Sequence, residues 1–379
     1  MPGPLYLLAA ANFAIGMGAF VVIGVLSPLA ADFGIDKATA GWTMTSYAIV
    51  YAIASPVLVA VTGAKDRKVV LLAGLALFGA GALAAAFAPS FESLLVARGL
   101  MALGGGLVTP VAASIGLALS EPAKRGRALA TVFGGLTFAQ ALGVPAGAWL
   151  GYAFGWHAAF VVVTALTFAA WFAARRTLPA GIAVPPASLA TLRATLASPK
   201  LTLAVAFTAL FIGGLYVVYT FLAPFLETRL GLGRDGVSAM LLLFGLGAVA
   251  GNALGGFLTD RIGAARTLAF LCAAQIAVMP ILTLTHPGLA ITAALIVLWS
   301  VCAWSFMVAQ QARLAALDPA KIPVLFALNA AAIYVGGAYG PLFGGAALGA
   351  GGFEALGPAG AAVIALAAGS LWLVGRLRG

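Results

Sequence analysis

Apolar runs of about twenty residues or more alternate with short polar breaks along almost the whole chain. Twelve runs can be marked. They lie near 5–31, 39–62, 69–88, 92–119 and 128–152, then in a sixth run ending at Arg175 and Arg176, and near 201–226, 236–259, 267–285, 290–316, 323–348 and 355–374. Crossing the hydrocarbon of a bilayer takes roughly 20 apolar residues in a helix, so each run predicts one membrane span. The only long polar stretch, 177–199, carries Pro179, Pro185, Pro186 and Pro199, with Ser188 as an N-cap for a short helix bearing Arg193. The pattern therefore predicts an N-terminal six-helix bundle over 1–176, a cytoplasmic linker over 177–199 and a C-terminal six-helix bundle over 200–379.

Composition agrees with the pattern. Of the 379 residues 63% are hydrophobic and 8% charged, with a mean hydropathy of +1.11, whereas roughly a quarter of a soluble domain is charged. The fold class is an all-α integral membrane protein. A net charge of +10 can point to nucleic acid, but basic residues in short loops between spans are explained by membrane orientation, and no nucleic-acid partner is expected. With both termini cytoplasmic, only Lys37, Arg229 and Arg234 of the 20 Lys and Arg lie outside and Arg98 lies within a span, which leaves sixteen on the cytoplasmic side. Shifting the helix count by one would scatter them. Cys272 and Cys302 sit inside predicted spans without metal-like spacing, and two small buried apolar residues are the expectation. The first apolar run is too long, and lacks the basic lead-in, for a cleavable signal peptide. No serine-histidine-carboxylate set, metal spacing or glycine-rich phosphate loop is present, so neither an enzyme nor a cofactor is expected.

The two halves repeat. The turn Asp66-Arg67 returns 194 positions later as Asp260-Arg261; Pro28 and Asp32 at the outer end of the first span correspond to Pro224 and Glu227; Gly143, Pro145 and Gly147 correspond roughly to Gly340, Pro341 and Gly344. Parallel six-helix repeats with a midplane site between them are the architecture of a rocking transporter.

These residues carry a family resemblance over essentially the whole length. The chain resembles the major facilitator superfamily, and within it the twelve-helix drug:proton antiporter branch of arabinose- and chloramphenicol-efflux-like exporters. Gly256, Asp260, Arg261 and Gly263 match the family's helix 8–9 signature; the helix 2–3 copy keeps Asp66 and Arg67 but lacks both glycines. Arg98 with Gly104, Gly105 and Gly106 matches the helix 4 signature, and Gly134, Gly143, Pro145 and Gly147 match the helix 5 antiporter signature. The resemblance implies a monomeric, multi-pass protein of the bacterial inner membrane with a small-molecule substrate. Export as the direction of transport rests mainly on the helix 5 match.

The chemistry has a physical reading of its own. Asp66 or Asp260 can accept from a helix N-terminus while Arg67 or Arg261 pairs with a carboxylate across the bundle, a gate that releases on rocking; the alternative is solvated turn charge placed by orientation. A buried cation such as Arg98 costs roughly 2.5–3.5 kcal/mol on insertion scales and usually has a partner. Asp32 is the candidate partner, and a carboxylate held ionised by Arg98 and protonated when the pair parts would couple transport to protons. Glu227, with Arg229 as neighbour, is the weaker counterpart; for Arg98 the alternative is snorkelling to the outer surface. Asn12, Tyr47, Tyr51, Gln140, Tyr216, Tyr219, Asn252, Asn329 and Tyr334 are candidate cavity residues, each equally readable as interhelical glue. The first-choice reading is an exporter of a neutral or amphipathic small molecule in exchange for protons. A proton-independent facilitator or uptake carrier shares every fold feature.

Overall fold

The computed structural model describes residues 2–121, 125–182, 193, 195–285 and 288–376; Pro185, Pro186 and the suggested N-cap Ser188 lie outside them. The elements are α1 Pro2–Phe33, α2 Lys37–Ala40, α3 Trp42–Val61, α4 Arg67–Ala86, α5 Phe91–Ala118, α6 Arg125–Phe138, α7 Val144–Phe154 and α8 Trp156–Thr177. After the linker come α9 Pro199–Tyr219, α10 Leu222–Leu230, α11 Arg234–Ile262, α12 Ala264–Leu284, α13 Leu289–Leu317 and α14 Ile322–Arg376. Among the described residues ten helical stretches are long and apolar enough to cross a membrane. The last of them is two helices, broken at Gly351 and Gly352 (φ 65°, ψ −163°). The fifth marked run is covered by α6 and α7, which run on through a π-helical turn and are not among those ten stretches.

Local chemistry explains the ends. Asp36 caps α2, accepting from the Thr39 amide at 2.8 Å and the Thr39 hydroxyl at 2.7 Å; these bonds, the hydroxyl's first, hold its carboxyl below the usual aspartate range. Ser90 and Ser93 form a reciprocal box at the start of α5. Gly263, the last residue of the helix 8–9 signature, sits at φ 82°, ψ 154°, a conformation closed to side chains with a Cβ, and lets α12 start directly after α11.

The chain divides into two compact units, one of residues 1–35 with 46–187 and the other of residues 36–45 with 188–379. Within the first, α1 packs on α5, α6, α7 and α8, and α4 on α5 and α8. Within the second, α9 packs on α14, α11 on α13, and α12 on both α13 and α14. The segment 36–45 is docked by Lys37 Nζ donating to Thr228 Oγ1 at 3.0 Å and by Thr45 Oγ1 donating to the Ala338 carbonyl at 3.1 Å.

The sequence repeat reappears in the packing. A Cβ on Gly143 would stand 3.2 Å from Met17 Cβ and one on Gly147 2.1 Å from Val21 Cγ2. In the second unit a Cβ on Gly340 would stand 2.6 Å from the Gly213 carbonyl and one on Gly344 2.6 Å from the Val217 carbonyl. The partners 17 and 213, and 21 and 217, share one offset of 196. The same helix pair is thus packed the same way twice, by small residues that admit close approach.

Candidate functional site

Arg98 is the most deeply placed charge of the first unit, at 0% exposure. It does not snorkel. Its guanidinium donates to the Gly18 carbonyl and, at 2.9 Å, to the Ala19 carbonyl on α1, while its Cζ lies 4.6 Å from the centre of the Tyr47 ring. Backbone oxygens and an aromatic face share the work of a counter-ion. Tyr51 follows one turn later on α3, its ring 6.0 Å from that of Tyr47.

Asp32 is not the partner of Arg98. It is thirteen residues beyond Ala19 on the same helix, roughly 20 Å at 1.5 Å per residue, which no arginine side chain spans. Asp32 is exposed and its Oδ2 accepts from the Trp156 indole at 2.8 Å. Trp156 is itself buried, stacked on His157 at 3.8 Å and packed against Phe33. Trp156, steadied by His157, therefore supplies the partner of Asp32. In the second unit Glu227 is half-buried on α10, and Arg229 makes an ion pair with Glu354 at 2.6 Å.

The two copies of the charged turn differ. Asp66 caps α4 by accepting from the Lys68 amide at 3.0 Å and also accepts from the Gly181 amide at 2.8 Å; the latter bond is the largest cause holding its carboxyl below the usual aspartate range. Lys68 Nζ donates to the Leu178 carbonyl at 2.6 Å and the Arg67 amide to the Ile182 carbonyl at 3.0 Å. The first turn is thereby stapled to residues 178–182, the start of the linker. Arg67 is buried and donates to the Gly63 carbonyl, not to a carboxylate. Asp260 and Arg261 are exposed, with Arg261 over the Phe257 ring at 4.7 Å.

The fifth span is not a uniform helix. Pro145 has no amide hydrogen and its ring crowds the carbonyl four residues back, so the chain widens into a π-helical turn over Ala139–Gly143, with the Val144 amide bonding the Ala139 carbonyl. The turn carries Gln140, 9% exposed. Gly143 and Gly147 face α1, as above, whereas a Cβ on Gly134 would meet nothing within 4 Å. Packing therefore accounts for two of the signature glycines and not for Gly134.

The second unit holds two polar clusters. Tyr219 is stacked on Phe244 at 4.2 Å, with Trp299 and Tyr216 edge-on to it. Further along α9, Thr208 donates to Asn329 Oδ1 and accepts from Gln310 Nε2 at 3.0 Å, and Gln310 Oε1 accepts from Arg313 at 3.3 Å. Arg313, counted with the cytoplasmic side at the end of the run 290–316, is buried at 6% exposure against the Phe207 ring. Asn252 and Tyr334 are half-buried. Among the described residues no cluster of metal-ligating side chains occurs.

Comparison with known proteins places this geometry. A family model described as Major Facilitator Superfamily matches residues 8–341. The MFS-type transporter YbcL of Bacillus subtilis (strain 168) is 32% identical over 342 residues, 90% of this chain and 87% of that one. A chloramphenicol resistance protein of Streptomyces lividans is 34% identical over 265 residues, 69% of this chain and 68% of that one. A crystal structure of a bacterial homolog to the human lysosomal transporter Spinster, inward-facing and occupied, superposes with a TM-score of 0.77 at 20% identity, covering 98% of this chain and 96% of the other. At that identity the likeness shows the fold alone.

Proposed function

The chain belongs to the major facilitator superfamily, a multi-pass membrane transporter and not an enzyme, and on that premise we propose that it exports a small, neutral or amphipathic organic molecule in exchange for protons. The observation that carries export is the fifth span, where Pro145 sets a π-helical turn and Gly143 and Gly147 press on α1, in a helix that resembles the antiporter signature. The name of the chloramphenicol resistance protein points the same way. Alternating access would expose the polar residues of α1, α3 and α5 to each side of the bilayer in turn.

Proton coupling is assigned to Asp32, with Trp156 in place of Arg98 as its partner. An ionised carboxylate accepts the indole hydrogen bond well, and protonation from outside weakens it, freeing the outer end of α1. Binding of the outer proton must favour the state that then turns inward, or the two flows uncouple. Arg98 ties α5 to α1 as a positioning residue, Asp66 and Arg67 hold the inner end, and Glu227 is a secondary proton site. One observation favours a proton-independent facilitator as second reading: all ten acidic residues lie at or beyond helix ends.

Accumulation of labelled chloramphenicol, adenosine and lactose in intact cells tests direction. Lower accumulation of one compound on expression is the expected result, and raised accumulation sinks the export reading.

A further inference from the structure

Five buried polar atoms of the first unit have no hydrogen-bond partner among the described residues, and besides Ser27 Oγ near the end of α1 and Arg67 Nε at the charged turn they are Asn12 Oδ1, the Tyr47 hydroxyl and Thr109 Oγ1. Asn12, Tyr47 and Thr109 are 0%, 1% and 7% exposed. Buried polar groups are nearly always paired, so these three, on α1, α3 and α5, require an account.

The register of α1 against α5 brings them to one level. A Cβ on Gly18 would lie 2.9 Å from Met101 Cε, and one on Gly105 would lie 3.3 Å from Ile15 Cγ2 and 2.6 Å from the Tyr47 hydroxyl. Position 18 thus faces 101 and 15 faces 105, an antiparallel pairing. One turn further, about 5.4 Å along each axis, residue 12 comes level with residue 109. Asn12 and Thr109 therefore lie at one level, one turn beyond the point that the Tyr47 hydroxyl reaches.

We propose that Asn12, Thr109 and Tyr47 form a recognition site for a neutral, hydroxyl-bearing group of the transported compound, an inference that rests on the transporter reading. Asn12 Nδ2 already donates to the Val132 carbonyl at 2.9 Å, so its Oδ1 is left as an acceptor and demands a donor from the ligand. The threonine and tyrosine hydroxyls each donate and accept. An O–H group satisfies all three demands. A carboxylate has no hydrogen to give Asn12, and a cation would meet the Arg98 guanidinium stacked on the Tyr47 ring with every acidic residue far off at a helix end.

The test is thermal melting of the purified, detergent-solubilised full chain, comparing wild type with Thr109→Val and Tyr47→Phe, alone and with adenosine, lactose, chloramphenicol or tetraphenylphosphonium. Each substitution removes an orphan hydroxyl at nearly constant shape, so the ligand-free midpoint should hold or rise in both variants. At least one hydroxylated probe should shift the wild-type midpoint saturably, with apparent affinity about tenfold weaker in each variant. A lowered ligand-free midpoint in both variants would mean that the hydroxyls hold the fold together and would overturn the proposal. So would a shift with tetraphenylphosphonium alone, no shift with any hydroxylated probe, or a shift equal in all three proteins. Binding in detergent needs no gradient and no direction, so failure of export would leave a positive result standing, and failure here would leave export open to other ligands.

Discussion

Replacing Arg98 by methionine separates what the residue does for the fold from what it does for transport. The guanidinium makes two hydrogen bonds to α1 carbonyls, about 1.5–3 kcal/mol each for a charged donor, and one contact with the Tyr47 ring, about 1–2 kcal/mol when desolvated. Against this stands the burial of a cation, roughly 2.5–3.5 kcal/mol on insertion scales and more by other measures. The gains come to about 4–8 kcal/mol, so on the insertion scale about 0.5–5.5 kcal/mol is left in favour of the arginine, and burying a methionine returns about 1.5–3 kcal/mol of it. Methionine fills a similar volume without charge, and the Gly18 and Ala19 carbonyls keep their own helical bonds within α1, so no acceptor is stranded. Arg98→Met should therefore change stability by no more than about 4 kcal/mol. Flux of the exported compound in proteoliposomes should nonetheless fall more than tenfold, because α5 is no longer tied to α1 through a charge. Arg98→Lys keeps the charge but loses the two-pronged fork that reaches successive carbonyls, and should also fail in flux. A methionine variant that transports at half the wild-type rate or better would refute the positioning role, and one that unfolds would refute the energetic reasoning.

Two adjacent glycines of α11 should respond in opposite ways. A Cβ on Gly255 would stand 2.2 Å from the Ser305 carbonyl, whereas one on Gly256 would meet nothing within 4 Å; Gly255→Ala should cost at least about 1–3 kcal/mol by forcing α11 from α13, while Gly256→Ala should stabilise by up to about 1 kcal/mol through helix propensity, both read from melting midpoints. The staple at Asp66 should titrate. Its carboxyl is held below the usual aspartate range by the Gly181 amide, so the stability it adds is present above about pH 4 and is lost as the pH falls through its lower folded value; the melting difference between wild type and Asp66→Asn should be flat above about pH 5 and shrink steadily as the pH falls below about 4. A difference that grows on acidification would contradict that sign.

The spans and the repeat were legible because lipid imposes them. A run such as 69–88 has no other stable use, and the glycines repeated at an offset of 197, Gly143 with Gly340 and Gly147 with Gly344, are what close packing of duplicated helices needs. The partner of Arg98 was not legible, because its ligands are backbone carbonyls, which leave no mark in a sequence. Depth along α1 was the available signal, since thirteen residues place Asp32 far beyond reach. The burial of Arg313 was not legible, because counting charges by side takes no account of Gln310, three residues earlier on the same face. The π-helical turn was foreshadowed by Pro145 within an apolar span. Thr109 was overlooked as one hydroxyl in an apolar run, and only the α1–α5 register brings it level with Asn12.

The most direct test of proton-coupled export is proton release from acidified inside-out vesicles on adding sugars, nucleosides, phenicols and lipophilic dyes in turn, with wild type and Asp32→Asn side by side. Release is predicted with one class of neutral, hydroxylated compound, and its loss in Asp32→Asn. Release that persists in the variant would contradict the assignment of the proton to Asp32, and labelled compound moving without any proton release would contradict antiport itself.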